Sequence, residues 1–392
     1  METDWILLLW LLLPLAAASG WLVAKQSFNR NIANTNKKLS PEYFKGLNYV
    51  LNEQPDKAIE IFIKMLEVDS DTVETHLALG NLFRRRGEVD RAIRIHQNLI
   101  ARPTLNREQR SMALLELGMD YMRSGLLDRA EGLFEELVES GAYTSQAYAE
   151  LLKIYQQEKD WNNAIAVARR LEAVSGENLD QMIAQFYCEH ACENFSRSED
   201  KKGKDNLKRA LNIDPDCVRA SLIEAEMASR AGKYRQAIKA YKRIEKQDPE
   251  YIPEIISPML NCYRQINKID EYMKYLREIV ATYGGITPLL SLTELIEEVN
   301  GEKDAIKFIS MELKRRSTVR GVDKLIEYTL TNADGEIRDS LKMIKDMTGK
   351  LLQSSSVYQC IHCGFDGKSI HWQCPSCKRW NTIKPVHGIE GE

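Results

Sequence analysis

Four cysteines near the end of the chain have the spacing of a metal site. They form two C-x-x-C pairs separated by ten residues, within the stretch CIHCGFDGKSIHWQCPSCKRW. Four thiolates at this spacing can surround one metal ion tetrahedrally, each at about 2.3 Å. Zinc is the default ion, and iron is the alternative because both accept four sulfur ligands. The predicted ligands of one structural ion are Cys360, Cys363, Cys374 and Cys377.

The same four cysteines admit other interpretations. A dithiol redox pair or disulfide bonds could use this spacing, although a reducing compartment favours thiolates that bind a metal. Ribbons of this kind also bind nucleic acid, and Lys378-Arg379-Trp380 combines two cations with an aromatic ring. The chain carries a formal net charge of −3 and its sequence has no wider basic stripe near these residues, so nucleic-acid binding is not expected.

The cysteines belong to a small module, predicted at residues 357–392, that resembles a rubredoxin-type metal ribbon. A module of this size offers little core, so the metal must supply most of its folding free energy. The expected core aromatics are Phe365, Trp372 and Trp380. After the Ser-rich break at Gln353–Ser356, we expect the ribbon to pack on the preceding helices, as a cap for the last helix pair or as a rigid contact surface.

The central part of the chain is a repeat array with a period of 34 residues in its clearest copies. A small residue is followed by an aromatic three positions later, an alanine nine beyond that and a bulky residue four further on. Successive copies are Gly46-Tyr49-Ala58-Phe62, Gly80-Phe83-Ala92-His96, Gly118-Tyr121-Ala130-Phe134 and the looser Leu152-Tyr155-Ala164-Ala168. This pattern is typical of the tetratricopeptide repeat, a pair of antiparallel helices. The predicted fold is an all-α superhelical solenoid of about eight or nine repeats at residues 39–352, in which the small residues let the paired helices approach.

An array of this kind usually holds a peptide or a protein along its concave face, which the first helix of each repeat lines. By the alignment, the side chains that point into this groove include Asn81, Arg84, Lys153 and Gln156. Amides and cations suit the capture of a peptide backbone or a carboxylate, although ordinary exposed helix residues have the same character. The basic runs at residues 84–86 and 314–316 are most often solvated faces, but they can also bind acidic partners or anionic lipid head groups. Catalytic motifs are absent from the sequence of the array, so a non-enzyme is predicted.

The chain begins with an uncharged run, Trp5–Ala24, that is long enough to cross a membrane. The residues before it are acidic, which argues against a cleaved signal peptide. Positive charges follow it at positions 25, 30, 37 and 38, so the N-terminus is expected outside and the body in the cytoplasm. The predicted segments are an anchor at 1–24, a linker at 25–38, the repeats and the ribbon.

Taken in order, these features resemble the bacterial lipopolysaccharide assembly protein B family over the whole chain. The resemblance rests on the start WILLLWLLLPLAAASGWLVA, on the repeat stretch from GLNYVLNEQPDKAIEIF to RRRGEVDRAIRIHQNLI, and on the CIHCG and CPSC pairs. It implies a non-enzymatic, single-pass adaptor of the inner membrane that regulates lipopolysaccharide synthesis. Such an adaptor would present the deacetylase of the lipid A pathway to the membrane protease FtsH, while a membrane regulator restrains it. It also implies that both the anchor and the metal ribbon contribute to activity.

Two other functions are compatible with the same features. One is a structural scaffold for an envelope assembly complex without a proteolytic role, and the other is a dithiol redox protein. A homo-oligomer also stays open as an alternative to a monomer.

Overall fold

The computed structural model describes residues 41–68, 72–331, 334–389 and 391–392. The expected anchor at Trp5–Ala24 and the linker at 25–38 lie outside these residues. Within the described ranges, none of the helices combines the length and the apolar character needed to span a bilayer. The chain divides into two compact units, one up to Ala147 and one from Tyr148 onward.

The first unit consists of antiparallel helix pairs, each joined by a short turn. Its helices are α1 (Pro41–Leu51), α2 (Pro55–Val68), α3 (Val73–Arg85), α4 (Val89–Ile100), α5 (Arg107–Ser124) and α6 (Leu127–Ser140). Each odd-numbered helix packs against the even-numbered helix that follows it, as the repeat pattern predicts.

The second unit continues the helix pairs from α7, whose first residues still belong to the first unit. The helices are α7 (Thr144–Glu158), α8 (Trp161–Ser175), α9 (Asp180–Ser196), α10 (Asp200–Ile213), α11 (Val218–Arg230), α12 (Tyr234–Gln247), α13 (Ile252–Gln265), α14 (Ile269–Thr282), α15 (Ile286–Asn300), α16 (Glu302–Arg315), α17 (Val319–Thr331) and α18 (Gly335–Ser354). A 3₁₀ turn at Pro249–Tyr251 precedes α13. The prediction of an all-α tetratricopeptide-repeat solenoid is confirmed.

The small residue of each clear repeat makes room for a ring on the paired helix. A Cβ atom at Gly46 would lie 2.7 Å from the ring of Phe62, and one at Gly80 would lie 2.3 Å from the ring of His96. Real Cβ contacts are not that short, so glycine allows the ring to lie directly on the helix backbone. The expectation that small residues let the paired helices approach is therefore confirmed.

The ribbon is a three-stranded antiparallel sheet with the strand order β2-β1-β3. Its strands are β1 (Tyr358–Cys360), β2 (Asp366–Gly367) and β3 (Ile383–Pro385). Tyr358 of β1 pairs with Gly367 of β2 and with Pro385 of β3. The buried residues of its core are Tyr358, Cys360, Cys374 and Ile383, with Phe365 partly buried beside them.

One expectation about the ribbon is wrong. Trp372 and Trp380 do not belong to its core, because Trp372 packs on the helical core of the second unit and Trp380 packs on α8 and α9. Helix α18 has no buried side chain among the described residues, so of the two roles expected for the ribbon the structure favours the rigid contact surface. Several apolar residues of α18 stay exposed, including Ile337, Met343 and Met347.

Candidate metal centre and its docking face

The four predicted ligand sulfurs converge on one point. The Sγ atoms of Cys360 and Cys377 lie 3.8 Å apart, those of Cys363 and Cys374 lie 3.6 Å apart, and all four lie within 4.8 Å of one another. Sulfurs placed about 2.3 Å from one ion at tetrahedral angles would be about 3.8 Å apart. A disulfide bond is about 2.05 Å long, and all four cysteines are free thiols. The site therefore fits one ion held by four thiolates.

Two similar turns bring the cysteine pairs together. In the first turn the Gly364 N–H donates to the Cys360 carbonyl at 2.9 Å, and in the second the Lys378 N–H donates to the Cys374 carbonyl at 2.9 Å. Gly364 and Lys378 both have positive φ, at 73° and 60°. Lysine rarely adopts this conformation, which costs of the order of 1 kcal/mol, so the second turn depends on its surroundings.

The electrostatics of the cluster also favour a bound cation. Burial raises the pKa of the Cys360 thiol, but its hydrogen bond with the Thr382 hydroxyl and those with nearby backbone N–H groups lower it to about 6. The N–H of Arg379 would lower the pKa of Cys377, but burial and the neighbouring thiols raise it to about 11. One thiolate disfavours the next, so four together need a positive ion to compensate them.

Trp380 attaches one side of the ribbon to the helices of the second unit. Its ring meets those of Trp161 and Phe186 edge-on, at centroid distances of 6.5 and 5.7 Å. Its Nε1–H donates to Gln156 Oε1 at 2.9 Å, and Gln373 Nε2 donates to the same oxygen at 3.3 Å. Gln156, one of the predicted groove residues, therefore accepts hydrogen bonds from two side chains of the ribbon.

Tyr251, just before α13, is fully buried at the centre of the contact. Its ring stacks on Trp372 with centroids 5.6 Å apart, and its hydroxyl donates to the Ile383 carbonyl at 3.0 Å. The Lys384 ammonium lies 4.4 Å from the centroid of the same ring and forms an ion pair with Asp248. Burial raises the pKa of Tyr251, as expected for a hydroxyl that acts only as a donor here.

Charged side chains complete the contact beside the aromatic rings. Tyr358 donates a hydrogen bond to Glu254. Burial raises the pKa of Glu254, and the hydrogen bond from Tyr358 offsets only part of this increase. Arg219 is only 7% exposed, its guanidinium carbon lies 5.7 Å from the Trp372 ring centroid, and it pairs with Glu189 at 2.9 Å. The expectation that the ribbon packs on the helices is confirmed, on a face that extends from α7 to α13.

The last residues of the chain extend this contact toward the later helices. The Val319 N–H donates to the Ile389 carbonyl at 2.8 Å. The Glu392 carboxylate accepts a hydrogen bond from the Thr287 N–H at 3.0 Å, in the first turn of α15, and pairs with Arg320. A carboxylate is favourable there because the N–H groups at the start of a helix carry partial positive charge.

The other predicted groove residues lie apart from the ribbon. Arg84 bonds Asn81 Oδ1 at 2.7 Å and forms ion pairs with Glu116 at 2.6 Å and with Asp120 at 2.8 Å. The buried Asp120 also contacts His96 Nδ1 at 2.5 Å. These residues belong to the first unit.

Lys153 lies in the second unit and pairs with Glu150 at 2.6 Å on its own helix. Partner binding by Asn81, Arg84, Lys153 and Gln156 stays a prediction.

Several contact residues were not identified from the sequence. Asp248, Tyr251 and Glu254 meet ribbon residues more than 100 positions away, so no local spacing marks them. The only local signal is a polar and aromatic cluster, DPEYIPE, where the repeat pattern is weak.

Comparisons with known proteins agree with both parts of the chain. Residues 358–385 match the family model described as rubredoxin metal binding domain, and residues 75–111, 115–178 and 203–252 match tetratricopeptide-repeat models. Over 385 residues the chain is 39% identical to "Lipopolysaccharide assembly protein B" of Escherichia coli strain K12, covering 98% of this chain and 99% of that protein. It is 36% identical over 392 residues to the protein of the same name from Haemophilus influenzae strain Rd, with 98% and 99% covered. The chain therefore belongs to the lipopolysaccharide assembly protein B family.

Proposed function

We propose that this chain is an inner-membrane adaptor that regulates lipopolysaccharide synthesis by binding other proteins. In its finer form, the proposal is that it presents the deacetylase of the lipid A pathway to an FtsH-type membrane protease, and that a membrane regulator restrains it. The proposal rests on the full-length likeness to proteins named for lipopolysaccharide assembly, and on repeats of a kind that binds proteins.

The observation that best supports a binding role, rather than a catalytic one, is that four cysteines fill all the ligand positions of the metal centre. Four sulfurs within 4.8 Å of one another supply a complete tetrahedral shell, and catalytic zinc sites instead keep one position for water or substrate. When bound, the ion would crosslink the two cysteine turns. The chain's own residues then hold the ribbon on the helices through Trp380, Tyr251 and Glu254.

The groove proposed for partner binding in the first unit is lined by α1, α3 and α5. A cavity of about 330 Å³ lies there, with Leu47, Leu77 and Met112 among its apolar lining residues and Asn81 among its polar ones. Asn81 accepts from Arg84 through its oxygen, which leaves its two N–H donors to bind a peptide carbonyl. A partner segment with one apolar side chain fits this combination.

We further propose a single-pass topology with the N-terminus in the periplasm and the body in the cytoplasm. Trp5–Ala24 would keep the adaptor beside a membrane protease. Deleting residues 1–24 should lengthen the life of the deacetylase in cells while leaving a folded body with one bound metal ion. A matched variant should carry an unrelated single-span helix in place of 1–24, because restored turnover would show that the segment only anchors.

Two further experiments separate the alternatives. A structural scaffold predicts an unchanged deacetylase half-life when the protein is depleted, and that result would refute the adaptor proposal. A dithiol redox protein predicts a reversible disulfide among the four cysteines, which metal analysis with thiol titration would reveal. One tightly held zinc or iron ion without a reversible disulfide is the expected result.

A further inference from the structure

A second cavity lies in the second unit, away from the metal centre. It has a volume of about 740 Å³ and is lined by residues of α14, α15, α16 and the last residues of the chain. Binding sites for small molecules typically have volumes of about 300–1,000 Å³. Three of its lining residues are arginines, Arg277, Arg315 and Arg316, and the last two belong to the basic run at 314–316.

Among the residues that the structure describes, the charges of the cavity are not balanced. Its two carboxylates are paired, Glu312 with Arg315 at 3.6 Å and Glu392 with Arg320 at 2.5 Å. In contrast, Arg277 and Arg316 have no ion-pair partner among the residues that the structure describes. Two guanidinium groups without a partner at one cavity favour an anionic group, which arginine can bind through paired N–H donors.

The guanidinium of Arg316 lies close to the backbone of the helix-to-helix turn at Gly284. A Cβ atom at Gly284 would lie 1.8 Å from its Nη1 atom, so the guanidinium rests directly on this glycine. Gly284 has a φ of +79°, a conformation that glycine adopts without strain. A residue with a side chain at position 284 would therefore displace the guanidinium from the cavity.

Another part of the cavity wall is apolar. Val280 and Ala281 of α14, Leu289 and Leu292 of α15, and Phe308 of α16 line it. An alkyl chain requires no hydrogen bonds and gains free energy when it leaves water for such a surface. We propose that this cavity binds an amphiphile with one alkyl chain and a phosphate or carboxylate head group, with the head group at Arg277 and Arg316.

Photocrosslinking tests the proposal on the full-length protein. The protein is placed in nanodiscs of phosphatidylcholine and irradiated with decyl phosphate that carries a diazirine at the end of its chain. Mass spectrometry should find the label on residues of α14, α15 and α16. Unlabelled decyl phosphate should compete, whereas inorganic phosphate and decyltrimethylammonium at the same concentration should not.

Three variants sharpen the test. The double variant Arg277→Ala/Arg316→Ala should lower labelling about tenfold or more, because hydrogen bonds to charged groups are the strong ones. Lys314→Ala is the matched control, since Lys314 belongs to the same basic run but does not line the cavity, and its labelling should be unchanged. Ala281→Trp should fill the apolar wall and also abolish labelling.

Equal labelling of the double variant and the parent would overturn the proposal, as would labelling spread evenly over other helices. Competition by an acidic peptide but not by decyl phosphate would also overturn it. Repeating the experiment in nanodiscs that also contain lysophosphatidylglycerol, an anionic lipid with one acyl chain, identifies the source of a bound amphiphile. Reduced labelling there indicates a membrane lipid, and unchanged labelling indicates a free amphiphile.

Discussion

The contact between the ribbon and the helices gives a quantitative prediction at Trp380. Its two edge-on ring contacts are each worth about 0.5–1.5 kcal/mol, and its hydrogen bond to Gln156 about 1 kcal/mol. Trp380→Ala should therefore weaken docking by about 2–4 kcal/mol. Since about 1.4 kcal/mol corresponds to a factor of ten, the undocked fraction should rise about 30- to 700-fold.

Proteolysis of the segment between α18 and β1 measures this fraction. We expect cleavage at Gln353–Ser356 to be faster once the ribbon leaves the helices, because the hydrogen bond from Tyr358 to Glu254, which holds the following strand on the helices, is then lost. The cleavage rate follows the undocked population when redocking is faster than cleavage. The metal-loaded protein should be cut slowly, and Trp380→Ala should be cut faster by the factor given above. Trp380→Phe keeps an aromatic ring but loses the Nε1–H donor, so its cleavage should be intermediate.

A control variant separates docking from the stability of the ribbon itself. Ile361 is 72% exposed on the ribbon, so Ile361→Ala should leave cleavage unchanged. If Trp380→Ala is cut at the rate of the parent while it retains its metal, the contacts of Trp380 do not hold the ribbon. Cleavage of the metal-loaded parent as fast as an unfolded peptide would contradict docking altogether.

Three further predictions concern the metal, the helix pairs and pH. Cys374→Ser should reduce bound metal from one ion per chain to none after dialysis, measured by elemental analysis. Gly118→Ala should lower the free energy of unfolding by about 1–3 kcal/mol because its Cβ would lie 2.6 Å from a facing phenylalanine ring. Gly132→Ala, in the same unit but with open space around it, should instead raise it by about 0.5–1 kcal/mol in urea titrations. Burial raises the pKa of Glu254 above its ordinary value of 4.5, and this effect exceeds that of the Tyr358 hydrogen bond, which lowers the pKa. The protonated Glu254 side chain therefore stabilises the folded state below pH 4.5, and this stabilisation is lost as the pH rises through the folded-state pKa. The Tm of Glu254→Gln relative to the parent should therefore increase from pH 4.5 upward, and an equal difference at all pH values would contradict this account.

The parts of the structure with local patterns could be predicted from the sequence. Two C-x-x-C turns are short enough that the spacing alone determines which sulfurs can meet. The glycine-to-ring pairs, such as Gly46 and Phe62, lie on adjacent helices joined by a tight turn, so their period is visible in the sequence. In both cases the contact partners are close along the chain.

The docking face could not be predicted because its partners are distant along the chain. The sequence shows that the ribbon has tryptophans, but a small module with a metal can orient an aromatic residue inward or outward. Both tryptophans point away from the ribbon because the helices offer aromatic rings for them to pack on. Trp372 packs on Tyr251, and Trp380 packs on Trp161 and Phe186. Only the packed structure shows that surface.

The metal centre and the docking face depend on the same few residues. Two of the four buried core residues of the ribbon, Cys360 and Cys374, are also metal ligands, so the core and the metal shell cannot form separately. A third core residue, Ile383, gives its carbonyl to the hydroxyl of the buried Tyr251. Free energy from metal binding therefore also stabilises the contact with the helices, because binding to the folded state alone shifts every coupled equilibrium toward that state. This coupling explains how a ribbon with so small a core can hold a fixed position on the repeats.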